Sequence, residues 1–232
     1  MIRSFLFNII FWPAFGGLLT VMYPIIYFSS QKTSFKLVYR PGAKLLIFCL
    51  KYIAGIKCEF KNVEILKKTL EKSPVIIGCN HQSAWETFVF ATLFETVSIV
   101  VKQELFSVPI AGLYFKKLEC IPIDRSSPVK SIKSILKFGK IAFQKKQSIL
   151  IFPNGTRQSP DEHTEYKSGV FALYKSLEIP VIPAHVNSGE CWPRRSFKKI
   201  KGTITLDFKN PITPGLTKEE FFKTFEERMN QS

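Results

Sequence analysis

The first 58 residues hold no carboxylate; Glu59 is the first acidic side chain in a chain of 232 residues. Acids stay scarce afterwards, 18 Asp and Glu against 33 Lys and Arg, for a formal charge of +15. That excess suits an anionic partner: a phosphorylated ligand, an acidic lipid headgroup or nucleic acid. Cysteine pairs are missing too. The five cysteines are odd in number, none stand at C-x-x-C spacing, and there are only three histidines. This argues against a zinc site and against a disulfide framework. Cys49, Cys79 and Cys120 sit in or beside apolar runs, where a free thiol behaves as a small hydrophobe, so the chain reads as reduced. No linker, internal repeat or low-complexity tract divides it, and its length fits one good-sized core. The lysines are scattered over several segments without an RNA or DNA motif, so no nucleic-acid partner is expected.

Charge is absent altogether from residues 5–28, FLFNIIFWPAFGGLLTVMYPIIYF, a run long enough to cross a bilayer. It is too long for the apolar part of a secretory signal and no small-x-small site follows, so it reads as a membrane segment. Pro13, Gly16, Gly17 and Pro24 are expected to kink or break it. Length does not separate spanning from dipping into one leaflet. A second apolar stretch, LLIFCLKYIAGI at 45–56, is too short to span. Between the two lie Lys32, Lys36, Arg40 and Lys44, which an anionic bilayer surface attracts by about 1 kcal/mol each. Trp12, Tyr23 and Tyr27 suit interfacial anchors. Residues 1–58 therefore read as a membrane-associated helical segment and residues 59–232 as an α/β domain.

From residue 60 the pattern alternates. SPVIIGC (73–79), VSIVVK (97–102), CIPI (120–123), SILIF (148–152), PVIPAHV (180–186) and TITLDF (203–208) read as strands. Helices are expected from Ala84, over 109–118, over 129–146 and in the closing KEEFFKTFEERM. Such alternation indicates an α/β fold with a mixed, largely parallel sheet flanked by helices. Ligands gather at the carboxyl ends of the strands in such sheets, and His81, Arg125 and Asn154 each follow a strand.

CNHQSAWETF, residues 79–88, places His81 five positions before Glu86. SAWE fits a capping box in which Ser83 caps the helix and Glu86 reaches back to the Ser83 amide. This accounts for Glu86 but leaves His81 outside the helix. The same geometry brings a carboxylate to the imidazole, fixing its tautomer and raising its basicity. CIPIDRSS presents Arg125, and FPNGTRQSP presents a glycine turn with Arg157, after two further strands. A glycine turn with an arginine beside it brings backbone N–H groups and a guanidinium onto a phosphate.

NHQSAWET, KQELFSVPIAGLYFKKLECIPIDR, IFPNGTRQSP, YKSGVFALY and IPVIPAHVNSGECW, colinear over residues 75–195, together resemble the glycerolipid acyltransferase family, in particular its bacterial 1-acyl-sn-glycerol-3-phosphate (lysophosphatidate) branch. The resemblance implies acyl transfer from acyl-CoA or acyl-carrier protein to the free hydroxyl of lysophosphatidate, making phosphatidate. It implies His81 as general base, Glu86 as its orienting carboxylate, no acyl-enzyme, and no metal or other cofactor. Arg125, Arg157 and Lys102 would bind the acceptor phosphate, Asn154, Gly155 and Thr156 would shape the acceptor pocket, and Pro183 belongs to a block linked to the acyl donor. The setting implied is the bacterial inner membrane, in contact with its phospholipid, with the site facing the cytoplasm. Two departures stand out. Glu86 replaces the commoner aspartate, and Asn154 replaces the glutamate of F-P-E-G-T-R, which loses a charge and gains a donor. Another lysolipid acceptor, such as lyso-ornithine lipid, therefore stays open, as does a non-catalytic binder of anionic lipid. His185, polar in an apolar stretch, reads as structural.

Overall fold

Seven short runs form strands: β1 Ile56–Lys61, β2 Ile76–Cys79, β3 Val97–Lys102, β4 Ile121–Ile123, β5 Ser148–Ile151, β6 Val181–Val186 and β7 Gly202–Phe208. In this computed structural model, which describes residues 1–94, 96–160, 162 and 165–231, they make one sheet in the order β1-β7-β6-β2-β5-β3-β4. Only the β6–β7 pair is antiparallel among the described neighbours. The helices are α1 Ile2–Phe28, α2 Gln31–Ser34, α3 Arg40–Cys49, α4 Val63–Leu70, α5 Trp85–Leu93, α6 Ala111–Lys117, α7 Pro128–Gln144, α8 Gly169–Leu177, α9 Ser188–Cys191 and α10 Lys218–Met229. Sequence reasoning passed over β1, α4, α8 and α9. β1 alternates buried and open positions at a sheet edge, and its lysines and glutamate weaken the apolar signal that marks the central strands.

The central strands are buried on both faces, which is why they read as unbroken apolar runs. Ile77 and Cys79 of β2 point into a core shared with α1, α3 and α5, whereas Ile76 meets the core formed with α7, α8 and α10. The stretch 45–56 belongs to the first of these cores: Leu46, Cys49, Leu50 and Ala54 are buried in it. Arg40, read from sequence as a basic group for a membrane surface, donates to the carbonyls of Ala91 and Phe94 at 3.3 and 2.7 Å. It thus satisfies the last carbonyls of α5 and complements that helix's dipole.

α1 is one continuous helix through Pro13 and Pro24, so of the kink or break expected there, no break occurs. Tertiary packing overrides the prolines, because one stripe of α1 is held along its length. Ser4 exchanges hydrogen bonds with the backbone of Lys199. Phe7 meets the edge of Trp192 at 5.6 Å, and Phe15 meets Phe88 at 5.1 Å. The Tyr114 hydroxyl donates to the carbonyl of Leu19, and Lys117 to that of Ser29. The opposite stripe, including Phe5, Ile9, Val21, Ile25 and Phe28, is exposed. By length and composition α1 could cross a membrane. Lys199 is wedged over the rings of Phe7 and Trp192 at 5.2 and 4.5 Å. Burial pushes its pKa down to about 8, a shift the ring faces oppose by favouring the cation.

Gly112, in α6, is required by close approach. A Cβ there would stand 2.3 Å from the carbonyl oxygen of Phe106, a backbone atom with no rotamer to yield. Gly112→Ala is therefore expected to cost about 1–3 kcal/mol, read as a lower thermal midpoint of the detergent-solubilised protein. An unchanged midpoint would mean that the turn relaxes.

Candidate active site

Strand register brings the candidate residues together. Gly78 of β2 pairs with Ile151 of β5, so His81 and Asn154, each three residues further on, leave the sheet side by side. Lys102 pairs with Ile123, which places Arg125 two strands away on the same edge. The loop carrying His81 is pinned on several sides. The Asn80 side chain exchanges hydrogen bonds with the backbone of Val186 at 2.7 and 2.8 Å. The Gln158 amide donates to the His81 carbonyl at 2.8 Å, and the Gly189 amide to Gln82 Oε1 at 2.9 Å.

Glu86 is fully buried. Its carboxylate accepts from the amides of Gln82 at 3.2 Å and Ser83 at 3.1 Å, and from the hydroxyls of Ser83 and Ser188. The reach back to the Ser83 amide is the one expected. The cap differs: the Ser83 hydroxyl accepts from Trp85 two residues on, and α5 begins only at Trp85. These donors satisfy the carboxylate oxygens, which would be expensive to bury unpaired. His81 Nδ1 lies 3.3 Å from Glu86 Oε2, near enough for electrostatic contact but not aligned as a hydrogen bond. Its ring stacks on Phe152, centroids 4.1 Å apart. Tightening of such contacts when substrate arrives is usual in catalytic pairs. Cys79, two residues before His81, is no competing nucleophile: burial pushes its thiol pKa well above the usual value, and the charge of Glu86 adds to the shift.

Phe152 also lines a cavity of about 440 Å³. Arg125, Asn154, Gly155 and Thr156 line it, joined by Lys167 and an apolar wall including Val100, Ile132 and Ile135. Gly155 sits at φ +73°, a conformation that favours glycine, and closes the turn by donating to the Phe152 carbonyl at 2.9 Å. Asn154 is buried, and no described residue donates to its Oδ1. Partial burial lowers the pKa of Arg125, with Glu104 opposing. For Arg157 burial again lowers it, Glu86 opposes and Arg194 adds to the lowering; Arg157 does not line the cavity. Lys102 is exposed at the end of β3, and Pro183 is buried within β6 opposite Gly78. Neither lines the cavity. His185 is exposed on β6, paired in register with Asp207.

Sequence reasoning missed Ser188 and Lys167. Both carried a usable signal, since Ser188 follows the end of β6 just as His81 follows β2, and Lys167 stands just ahead of α8.

Residues 57–187 match the family described as Acyltransferase. The chain is 32% identical over 208 residues to the 1-acyl-sn-glycerol-3-phosphate acyltransferase of Pseudomonas aeruginosa, covering 88% of this chain and 78% of that protein. It is 27% identical over 159 residues to the enzyme of the same name from Saccharomyces cerevisiae, covering 66% of this chain and 52% of the yeast protein. The crystal structure of the 1-acyl-sn-glycerophosphate (LPA) acyltransferase of Thermotoga maritima superposes with a TM-score of 0.70 at 18% identity, over 97% of this chain and 94% of that one. At that identity the likeness concerns the fold.

Proposed function

This chain belongs to the acyltransferase family, and on that premise we propose that it transfers a fatty acyl group from an acyl thioester to the free hydroxyl of 1-acyl-sn-glycerol-3-phosphate. The buried Glu86 carboxylate beside His81, whose ring stacks on Phe152 of the cavity that carries Arg125, is the observation that carries the reading. His81 takes the hydroxyl proton through the ring nitrogen turned away from Glu86. The alkoxide attacks the thioester carbonyl, and the tetrahedral intermediate expels the thiol, which recovers the proton. No residue is acylated. Arg125 and Lys167 supply two cations for the acceptor phosphate, and no carboxylate is among the described residues that line the cavity. That charge balance favours a phosphomonoester over a lyso-ornithine acceptor, whose amine would meet two cations. A lipid binder without chemistry would have no use for a desolvated carboxylate held against an imidazole.

Of residues 1–58, α1 serves as the anchor, while residues 45–58, which enter the core and begin β1, join residues 59–232 in the catalytic body. Because α1 is fastened to that body near both ends, it lies along one leaflet with its free stripe in the acyl region. The setting that fits is the inner face of a bacterial membrane, where acyl thioesters are made.

The test is thiol release from a long-chain acyl-CoA or acyl-carrier protein by detergent-purified protein, with lysophosphatidate against a panel of other lysolipids. Release that requires lysophosphatidate is expected; release only with another lysolipid would move the acceptor assignment. Arg125→Ala should raise the KM for lysophosphatidate about 10–100-fold, the worth of a charge-assisted hydrogen bond. An unchanged KM would remove Arg125 from the phosphate site.

A further inference from the structure

No Asp or Glu occurs between Asp124 and Asp161, and α7 occupies the centre of that gap. Lys130, Lys133, Lys137 and Lys140 recur on it at steps of three, four and three, forming one exposed row. Lys130 has Asp124 at 3.9 Å in an open, solvent-exposed pair. For Lys133, Lys137 and Lys140 no carboxylate lies within ion-pair reach among the described residues. Neighbouring lysines on one helix face repel each other, so the row gains from an anionic partner. Val129 and Ile141, 75% and 41% exposed, bracket it with apolar surface.

Position narrows the partner. α7 packs with α8 and α10 on the face of the sheet opposite α1 and α3. With the free stripe of α1 in lipid, the row on α7 faces water and not the bilayer. Its first turns, through Pro128, Ser131 and Ile132, line the cavity that holds Arg125. A partner seated on the row therefore stands beside the site.

We propose that the α7 lysine row is the docking surface for a small acidic protein that delivers the acyl thioester, an acyl-carrier protein. This rests on the acyltransferase reading above and names its donor. Charge complementarity steers the carrier onto α7, and the flexible arm bearing its thioester reaches round the start of the helix to His81. There the C–S bond breaks as the ester C–O bond forms, and the hydroxyl proton leaves on the carrier's thiol, with no further reactant.

The test uses the full chain in detergent, as wild type, as Lys133→Glu/Lys137→Glu/Lys140→Glu and as the corresponding triple glutamine variant. None of these three lysines lines the cavity. Carrier binding is titrated directly, and kcat/KM is measured with acyl-carrier protein and with acyl-CoA. Charge reversal should weaken carrier binding and raise its KM by about tenfold or more, with a smaller effect for glutamine. Binding by the wild type should weaken as salt is raised. Turnover of acyl-CoA and pelleting with phosphatidylglycerol vesicles should stay near wild type. Unchanged carrier binding would overturn the proposal. An equal loss with acyl-CoA would make the row a site for a small phosphorylated donor, and a loss of vesicle binding would assign it to the membrane; either result also overturns it. If no donor and acceptor pair reacts, the functional reading fails, while the titration still decides the docking surface by itself.

Discussion

His81→Ala is expected to lower kcat by about 10²–10⁴-fold, the contribution of a positioned general base, with little change in the unfolding midpoint. The imidazole is an accessory to the core and not a member of it. It lies on one face of Phe152, touches Glu86 at 3.3 Å, and keeps 12% of its side chain open. Removing it exposes a phenyl face and leaves the loop's anchors in place, because those run through Asn80, Gln82 and the His81 backbone. His81→Gln should be as inactive, since an amide can donate and accept but cannot take the proton. A variant retaining more than a tenth of wild-type turnover would exclude His81 as the base. The measurement is single-variant thiol release at saturating acceptor, with circular dichroism to confirm folding.

Glu86→Gln carries the second large effect, and unlike the first it should strike both activity and stability. All the groups gathered on the carboxylate are donors: two amides and two hydroxyls. A glutamine would turn its NH2 toward some of them, leaving buried donors unpaired at about 1–3 kcal/mol each. It would also remove the charge that favours protonation of His81 as the alkoxide forms. A fall in kcat of about 10²-fold or more together with a lower midpoint is expected. Glu86→Asp keeps the charge but retracts it by one methylene, so it should retain more activity than the isosteric amide. The reverse ranking would mean that length, and not charge, matters here. Ser188→Ala separates support from chemistry. It removes a single hydroxyl from Glu86, and the Gln82 and Ser83 amides remain, so a loss of about tenfold in kcat at nearly unchanged KM is expected, restored in part by Ser188→Thr. A shifted pH profile in Ser188→Ala would make Ser188 a positioning residue, and an unchanged one would leave it merely structural.

Strands β2, β3, β5 and β6 were legible because burial on both faces demands uninterrupted apolar residues, and α7 because its buried positions keep a helical period. β1 was not, since an edge strand tolerates Lys57, Glu59 and Lys61. The reach of Glu86 to the Ser83 amide was legible as a local motif. The Ser188 contact, between residues 102 apart in sequence, was not.

By itself the sequence determined the class of fold, the long apolar N-terminus and the closeness of His81 to Glu86, because each depends on neighbours in the chain: period, run length and five-residue spacing. Tertiary structure alone decided three other things. It showed that α1 is continuous across two prolines, held by contacts as distant as Ser4 with Lys199. It showed that Asn154, Arg125 and Lys167 share one cavity with Phe152, the ring on which His81 rests. It showed that the α7 lysines lie on the opposite face of the sheet from α1. The reason is common to all three. A parallel sheet sets side by side strands that are far apart in the chain, and no local pattern records which strands become neighbours.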